Sequence, residues 1–321
     1  MGKPRVGIIG AGIGGLSCGQ ALRSGGAAVV VFEKSRSLGG RLATRWWEGH
    51  VVDHGAPWFS EVPQGLRDCC QDNLSRVAAP VLGPSTGAAL PEPSGGRWYL
   101  PAGNNRIGKA LAEGLDLRME TLIECMERQP DGRWLVAGEL YDAVVTTAPW
   151  PQTRRLLASE WGDAAVAEPG YVRTLTAFFE YDGEPSGVAM KWSGMEHGSG
   201  AGGLARSICE NHKTSRVQPG RTVIVAHGTP EFSEENFAGD RDTWSARLEV
   251  AVREAWQLIT APRAVFTHRW GFGTVAAGFR APPAMPDGLY LAGDAFSGSE
   301  IGAVFESGLA AARGVLSTHR A

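Results

Sequence analysis

The 321-residue chain is 43% hydrophobic, with a net charge of −3 and a sequence pI of about 6.2. That length buries a large core and predicts two lobes, while the small acidic excess excludes a basic surface for nucleic acid or anionic lipid. No stretch approaches the ~18 uninterrupted apolar residues of a membrane span, the first strand starts too near Met1 for a secretory leader, and a cytoplasmic protein is expected. The five cysteines, Cys18, Cys69, Cys70, Cys125 and Cys209, lack C-x-x-C spacing and a histidine cluster. Reduced thiols and no metal are expected.

In chain order, the first predicted elements are an apolar strand ending at Ile9, a turn, and a helix over the small-residue run Ser17 to Leu22. Gly10, Gly12 and Gly15 fall on the G-x-G-x-x-G spacing, which is informative because a strand precedes it and a helix follows. Each glycine has a mechanical reason: Gly10 for the tight turn, Gly12 for close approach of a pyrophosphate, Gly15 for packing of helix on sheet. The free N–H groups and dipole at the helix start stabilise a diphosphate. A second strand, Ala28 to Phe32, ends at Glu33, placed to accept hydrogen bonds from a ribose diol. Lys34 follows, and the loop closes on Gly39-Gly40-Arg41, where close backbone approach and a fixed cation suit a second contact to a diphosphate.

Leu42 to Trp47 and His50 to Ser60 predict a strand pair lining a pocket, and Gln64 to Ala78 predicts a helix. Pro80, Pro84, Pro91 and Pro93 mark an excursion from the nucleotide lobe. A helix is expected from an N-cap at Asn104 or Asn105 to a stop at Gly114. Strands follow at Leu117 to Glu127 and Trp134 to Ala137, joined by the turn Gln129-Pro130-Asp131-Gly132. A strand from Tyr141 then ends in a proline-bounded crossing, Pro149-Trp150-Pro151. Strand-like runs at Val172 to Tyr181, Gly187 to Trp192, Leu204 to Cys209 and Arg221 to Gly228, with a helix at Thr243 to Leu258, predict an antiparallel sheet flanked by helices. The chain is expected to return to the first lobe through Ala264 to Trp270 and a loop with Pro282, Pro283 and Pro286. The strand Gly288 to Ala292, then Gly293-Asp294 and a helix from Glu300 to Leu316, close the chain.

The opening glycine turn, Glu33 and Gly39-Gly40-Arg41, joined with the closing Gly288 to Asp294 and Gly302-Ala303-Val304-Phe305-Glu306-Ser307-Gly308, resemble the two ends of the glutathione-reductase-type FAD oxidoreductases of the flavin amine oxidase superfamily. Within it the chain looks like renalase and its bacterial relatives, through Gly39 to Arg45, Asp53 to Ala56, Asn211 to Arg216, Val225 to Phe232 and His268-Arg269-Trp270. One departure is Pro57-Trp58, where those relatives carry a glutamine and an aromatic; proline removes an amide and a backbone donor.

The resemblance implies an α/β chain, α+β overall. A Rossmann-type FAD-binding domain would use residues 1–60, 97–150 and 263–321, and a mixed-sheet substrate domain 61–96 and 151–262, with the chain crossing more than once. It implies FAD as cofactor and O2 as acceptor for a small-molecule donor: an isomeric dihydronicotinamide dinucleotide or, alternatively, an amine or other small metabolite. A non-catalytic flavin-binding redox sensor is the third reading. Neither nucleic acid nor membrane is an expected partner, and the chain is expected as a monomer or homodimer.

The resemblance also implies residue roles. Gly10, Gly12 and Gly15 hold the pyrophosphate, Glu33 with Lys34 the adenosine ribose, Gly40 and Arg41 the phosphate or ribityl side, and Leu122 the adenine. Gly293 and Asp294 face the ribityl chain, and Glu300 and Ile301 begin the helix aimed at the flavin pyrimidine, where its dipole stabilises an anion. Asp294 is read as a helix N-cap as well. His227 and Trp270 are the substrate-pocket candidates, then Asn211 and Trp58, while His54 and His268 are assigned to the frame. An amine oxidase would be favoured by a lysine beside the flavin, with Lys213 and Lys191 as candidates.

Overall fold

The computed structural model describes residues 3–319 except 61, 71–72, 85–86, 158–169, 199–200 and 279–284. The loop prolines Pro282 and Pro283 lie outside the described residues. The chain opens with β1 (Arg5–Ile9), α1 (Ile13–Ser24) and β2 (Ala28–Phe32), as the glycine turn predicts. The hairpin β3 (Thr44–Trp47) and β4 (His50–Asp53) follows, then α2 (Gln64–Cys70), β5 (Ser75–Arg76), β6 (Val81–Leu82), β7 (Trp98–Tyr99) and α3 (Arg106–Leu111). After β8 (Asp116–Arg118) comes a meander of β9 (Met126–Arg128), β10 (Trp134–Val136) and β11 (Glu139–Tyr141), then β12 (Ala143–Thr146) and α4 (Trp150–Leu156). Next come β13 (Gly170–Asp182), α5 (Val188–Lys191), β14 (Gly194–Glu196), β15 (Leu204–Cys209), a 3-10 turn (Glu210–His212), β16 (Arg221–Gly228), α6 (Pro230–Asn236), α7 (Arg241–Trp256) and β17 (Ala264–Ala277). Last come β18 (Leu289–Leu291), α8 (Asp294–Ser297) and α9 (Ile301–Thr318).

The first sheet, in the order β18-β12-β1-β2-β8, is parallel at every pairing. Its strands are short and rich in valine and isoleucine because both faces are covered. Leu16, Leu22, Phe305 and Val315 from α1 and α9 pack with Ile8 and Val31 on one face, and Trp134, Tyr141 and Met126 of the meander pack with Ile9 and Val30 on the other. The second sheet runs β17-β13-β16-β15-β14-β6, antiparallel except at β14–β6. Phe179, Ile224, Trp244, Leu248 and Trp256 form a core between one of its faces and α7. The β3–β4 hairpin of the first lobe covers the opposite face, where Val52 meets Phe178, Ile208, Val223 and Val225.

Several local expectations are corrected. The helix from Gln64 ends at Cys70, where Asn73 N–H turns back onto the Cys70 carbonyl (2.9 Å), and asparagine favours that turn. The strand expected over Leu117 to Glu127 is two strands in different sheets, because Glu120 at φ +53° turns the chain between them. Asn105 occupies the α3 N-cap but its side chain does not cap, and Asn104 instead accepts from Leu100 N–H and donates to the carbonyls of Ala56 and Pro57. Pro149-Trp150-Pro151 opens helix α4, since proline fits the first helical turn. The run Gly187 to Trp192 is helical over α5, a short apolar segment that periodicity does not distinguish from a strand. β17 continues to Ala277 as an edge of the second sheet, so the return to the first sheet comes at β18. Burial pushes the Cys18 thiol up to about 12 and Cys70 to about 11, which makes both poor nucleophiles. Among the described residues, no helix is long and apolar enough to cross a membrane and no acidic, cysteine and histidine group suits a metal ion.

Candidate functional site

The three glycines of the first turn have different surroundings. Gly10 adopts φ +108°, and its N–H donates to the Phe32 carbonyl at 2.8 Å. A Cβ on Gly15 would lie 2.0 Å from the Gly10 carbonyl oxygen, so helix and turn touch there. A Cβ on Gly12, the N-cap of α1, would meet nothing within 4 Å, which leaves the approach to the helix start open. The second glycine turn lies against the first: Gly39 N–H donates to the Ala11 carbonyl (2.9 Å), and a Cβ on Gly40 would sit 3.5 Å from the Gly12 Cα.

Glu33 accepts hydrogen bonds from Ala11 N–H (2.9 Å) and Ser35 N–H (2.8 Å) on its two oxygens, and each oxygen keeps a lone pair for a diol. Lys34 beside it is exposed. Leu122 is 61% exposed, next to Thr121, whose N–H donates to the Glu33 carbonyl (2.9 Å). Gly293, at φ +107°, comes within 3.6 Å of where a Gly14 Cβ would be, so the closing motif abuts the start of α1. Arg41 Nη1 pairs with Asp294 Oδ2 at 2.5 Å, and the Tyr171 hydroxyl donates to Oδ1 at 3.0 Å. The Asp294 side chain caps no helix, which corrects that reading. Glu300 is the N-cap residue of α9, but its carboxylate accepts from Ser60 (3.1 Å), and Ile301 is buried behind it.

A second group of side chains gathers on the sheet face beneath the β3–β4 hairpin. Directly opposed residues on antiparallel strands share a face, so His227 on β16, Thr176 on β13 and His268 on β17 form one row, with Trp270 opposite Thr174. His54, just past β4, stacks on Trp270 (5.7 Å between centroids, 23°) and meets His268 edge-on at 5.0 Å. Trp270 Nε1 donates to the His54 carbonyl (3.3 Å), and His268 tilts against Trp270 at 4.2 Å. His227 Nδ1 lies 3.4 Å from Thr176 Oγ1, and its Nε2 is buried with no hydrogen-bond partner among the described residues. The arrangement puts His227 and Trp270 on one sheet face with β13 between them, and it adds His54 and His268, which sequence reasoning left in the frame.

Burial disfavours the charged form of each imidazole. Burial first, then His268 and Arg45, lowers the His54 pKa to about 4, and burial with Arg206 lowers His227 to about 3. His268 is lowered by burial and by Arg241 and Arg45. On the far side of the sheet, burial lowers His197 to about 4. A histidine whose folded pKa is depressed contributes stability above its unfolded value, near 6.5, and loses it as pH falls toward the folded value. Unfolding free energies from urea titrations are therefore expected to drop between pH 6.5 and about 4, by up to about 1.4 kcal/mol per pH unit for each such histidine. His227→Gln should flatten that slope; an unchanged slope would contradict the assignment.

The other candidates fall elsewhere. Asn211 is occupied as a clip, its amide donating to the Arg221 carbonyl (2.7 Å) and accepting from Val223 N–H (3.0 Å). Trp58 packs at Gly194 on β14, where a Cβ would lie 2.9 Å from its ring. That is four strand spacings from β17, roughly 19 Å, so Trp58 and Trp270 do not meet. Lys191 is exposed beside Trp192. Lys213 is buried in a four-membered ion cluster: its Nζ reaches Glu210 (2.6 Å) and Asp53 (3.2 Å), and Arg216 reaches Asp53 (2.7 Å) and Glu210 (3.6 Å). Sequence reasoning missed Tyr171, Thr176 and this cluster, in which Asp53 meets the distant Glu210, Lys213 and Arg216.

Residues 8–72 match the NAD(P)-binding Rossmann-like domain, and residues 88–316 match the flavin containing amine oxidoreductase family. Polyamine oxidase 1 of Oryza sativa is 38% identical over 92 residues, 28% of this chain and 17% of that protein. Polyamine oxidase 2 of Arabidopsis thaliana is 36% identical over 81 residues, 25% of this chain and 14% of that one. The matched stretches are thus a small part of those relatives' length. Among solved structures, a putative protoporphyrinogen oxidase from Exiguobacterium superposes with a TM-score of 0.77 at 16% identity, over 99% of both chains. Cyclohexylamine oxidase from Brevibacterium oxydans gives 0.76 at 12% identity over 100% of both, and a reduced UDP-galactopyranose mutase 0.77 at 14%, over 99% of this chain and 97% of that one. At these identities the likeness is one of fold. The glycine cradle, Glu33 and the Arg41–Asp294 pair fit a flavin dinucleotide, and the family match runs over well more than half of the chain: the chain belongs to the flavin-containing amine oxidoreductase family.

Proposed function

We propose that the chain is an FAD-dependent oxidase that draws a hydride from an uncharged carbon–nitrogen donor, an amine or related small metabolite, and delivers the electrons to O2. The observation that carries this reading is the geometry of the wall: His54 stacks on Trp270, His268 tilts against both, and the unpaired Nε2 of His227 on the same sheet face can meet a small nitrogen donor. FAD, when bound, supplies two-electron acceptor chemistry; the protein contributes position and electrostatics. Gly10, Gly12, Gly15 and Gly40 hold the diphosphate, Glu33 and Lys34 the ribose side, and Leu122 the adenine. Arg41, Gly293 and Asp294 take the ribityl side, and Glu300 and Ile301 set the helix start toward the ring. Trp270 and His54 fix a planar donor by stacking, and His227 Nε2 offers it one neutral hydrogen bond. The family match and the polyamine oxidase relatives support the amine class.

A second reading, the renalase-like oxidation of isomeric dihydronicotinamide dinucleotides, is favoured by the stacked pair itself and by Arg45, exposed with its guanidinium 4.7 Å over Phe266. A dihydropyridine ring would stack there and a phosphate would meet the cation. Anaerobic mixing with an amine panel, ordinary NAD(P)H and isomerised NAD(P)H, following flavin bleaching, separates the two. Bleaching by amines, with apparent affinity rising as pH approaches the amine pKa, is the expected result. Bleaching by isomerised dinucleotide alone selects the second reading, and a flavin that none of them reduces would overturn both.

A further inference from the structure

Tyr171 belongs to the substrate lobe, yet its hydroxyl serves the other one. It lies at the start of β13, where the ladder to β17 shifts register between Gly170 and Tyr171 and again between Val172 and Thr174. Such irregularities bend a strand and re-aim its side chains. Here the ring packs edge-on against Phe272 (5.6 Å, 83°), and the hydroxyl donates to Asp294 Oδ1 (3.0 Å) while accepting from Trp150 N–H (3.4 Å). Asp294 is 2% exposed, and Arg41 occupies its other oxygen. One directed donor on each oxygen fixes the rotamer of a buried carboxylate.

The neighbouring contacts run the same way. Val275 N–H, at the far end of β17, donates to Ser299 Oγ (3.2 Å), and Trp150 meets Phe296 edge-on at 6.0 Å. The distal ends of the two longest strands of the substrate sheet therefore grip the turn 293–300. Burial and the Asp294 charge push the Tyr171 phenol well above its usual range, so it remains a donor at every working pH.

We propose that Tyr171 is a positioning residue for FAD: a hydrogen bond from the substrate lobe holds Asp294 in the orientation that the cofactor's ribityl side requires, which makes cofactor affinity depend on the junction of the lobes. This rests on the placement of FAD at Asp294. A hydrogen bond to a charged group is worth enough to change a binding constant by about tenfold or more. The test is FAD release from the holoprotein and FAD affinity on reconstitution, for wild type, Tyr171→Phe, Asp294→Asn and the double variant. Tyr171→Phe is expected to weaken FAD about tenfold, to lower the melting temperature of the holoprotein more than that of the flavin-free protein, and to add nothing in the Asp294→Asn background. Tyr171→Gln, which keeps a donor, should recover part of the affinity. FAD affinity within twofold of wild type, or an equal loss of stability with and without FAD, would overturn the proposal alone. Wild type that binds no FAD would overturn the cofactor placement along with it.

Discussion

Gly15→Ala is expected to yield protein without bound flavin and destabilised by at least about 3 kcal/mol, the upper range for overpacking. The added Cβ would lie 2.0 Å from the Gly10 carbonyl oxygen and 2.9 Å from Thr147 Oγ1. Neither is the end of a flexible side chain: Thr147 Oγ1 is itself anchored on the carbonyls of Ile9 and Gly10, and Gly10 is held by its bond to Phe32. Relief requires α1 to move off the sheet, which opens the core around Leu16 and Leu22. Gly12→Ala is the internal control. Among the described residues, nothing beyond its chain neighbours lies within 4 Å of its Cβ, so the urea midpoint of the flavin-free protein should stay near wild type while FAD affinity falls at least about tenfold, the methyl taking space a diphosphate needs. Urea unfolding read by fluorescence, with FAD titration, checks both. A stable Gly15→Ala protein that keeps its flavin would show the cradle to be more pliable than its contacts imply.

Arg216→Met is expected to cost about 3–5 kcal/mol, as removal of one partner from a buried ion pair does. Arg216, Asp53 and Glu210 are fully buried and Lys213 is 2% exposed. The guanidinium also donates to the carbonyls of Val51 (3.0 Å) and Leu100 (2.6 Å), so three segments lose their common donor. Burial raises the Asp53 pKa, but Lys213 and Arg216 outweigh it and hold the carboxyl below its ordinary range. A depressed acid contributes stability above its unfolded pKa, near 3.9, and loses it as pH falls. Without Arg216 that advantage shrinks, and acid unfolding should begin at a higher pH. Because Asp53 directly precedes His54, turnover should decline as well. A loss under about 1 kcal/mol with an unmoved acid transition would mean that Lys213 alone balances both carboxylates.

The glycine cradle was legible because each glycine answers to a neighbour within a few residues: a turn, an open helix start, a helix contact. Glu33 and Gly39-Gly40-Arg41 were legible for the same reason, and the closing Gly293-Asp294 because it repeats that local logic before a helix. The aromatic wall was only half legible. His227 and His268 share a row through Thr176, and nothing local to any of the three strands announces that register. Tyr171 gave no signal, since its aim follows from a strand irregularity and a carboxylate 123 residues away. Asn211, by contrast, stood in a matching segment and proved to be a backbone clip, which shows that a matched residue can be kept for architecture.

The packing of α1 on α9 sets an order of events in synthesis. Ser17 Oγ donates to the Phe305 carbonyl across 288 residues, and a Cβ on Gly308 would fall 2.1 Å from the Gly14 carbonyl oxygen. Helix α1 therefore leaves the ribosome well before α9 and waits for almost the whole of the described chain before its partner emerges. Until then Leu16 and Leu22 have no cover from Phe305 and Val315. Nascent chains interrupted before residue 301 therefore expose this apolar face and should be targets for chaperones and proteases.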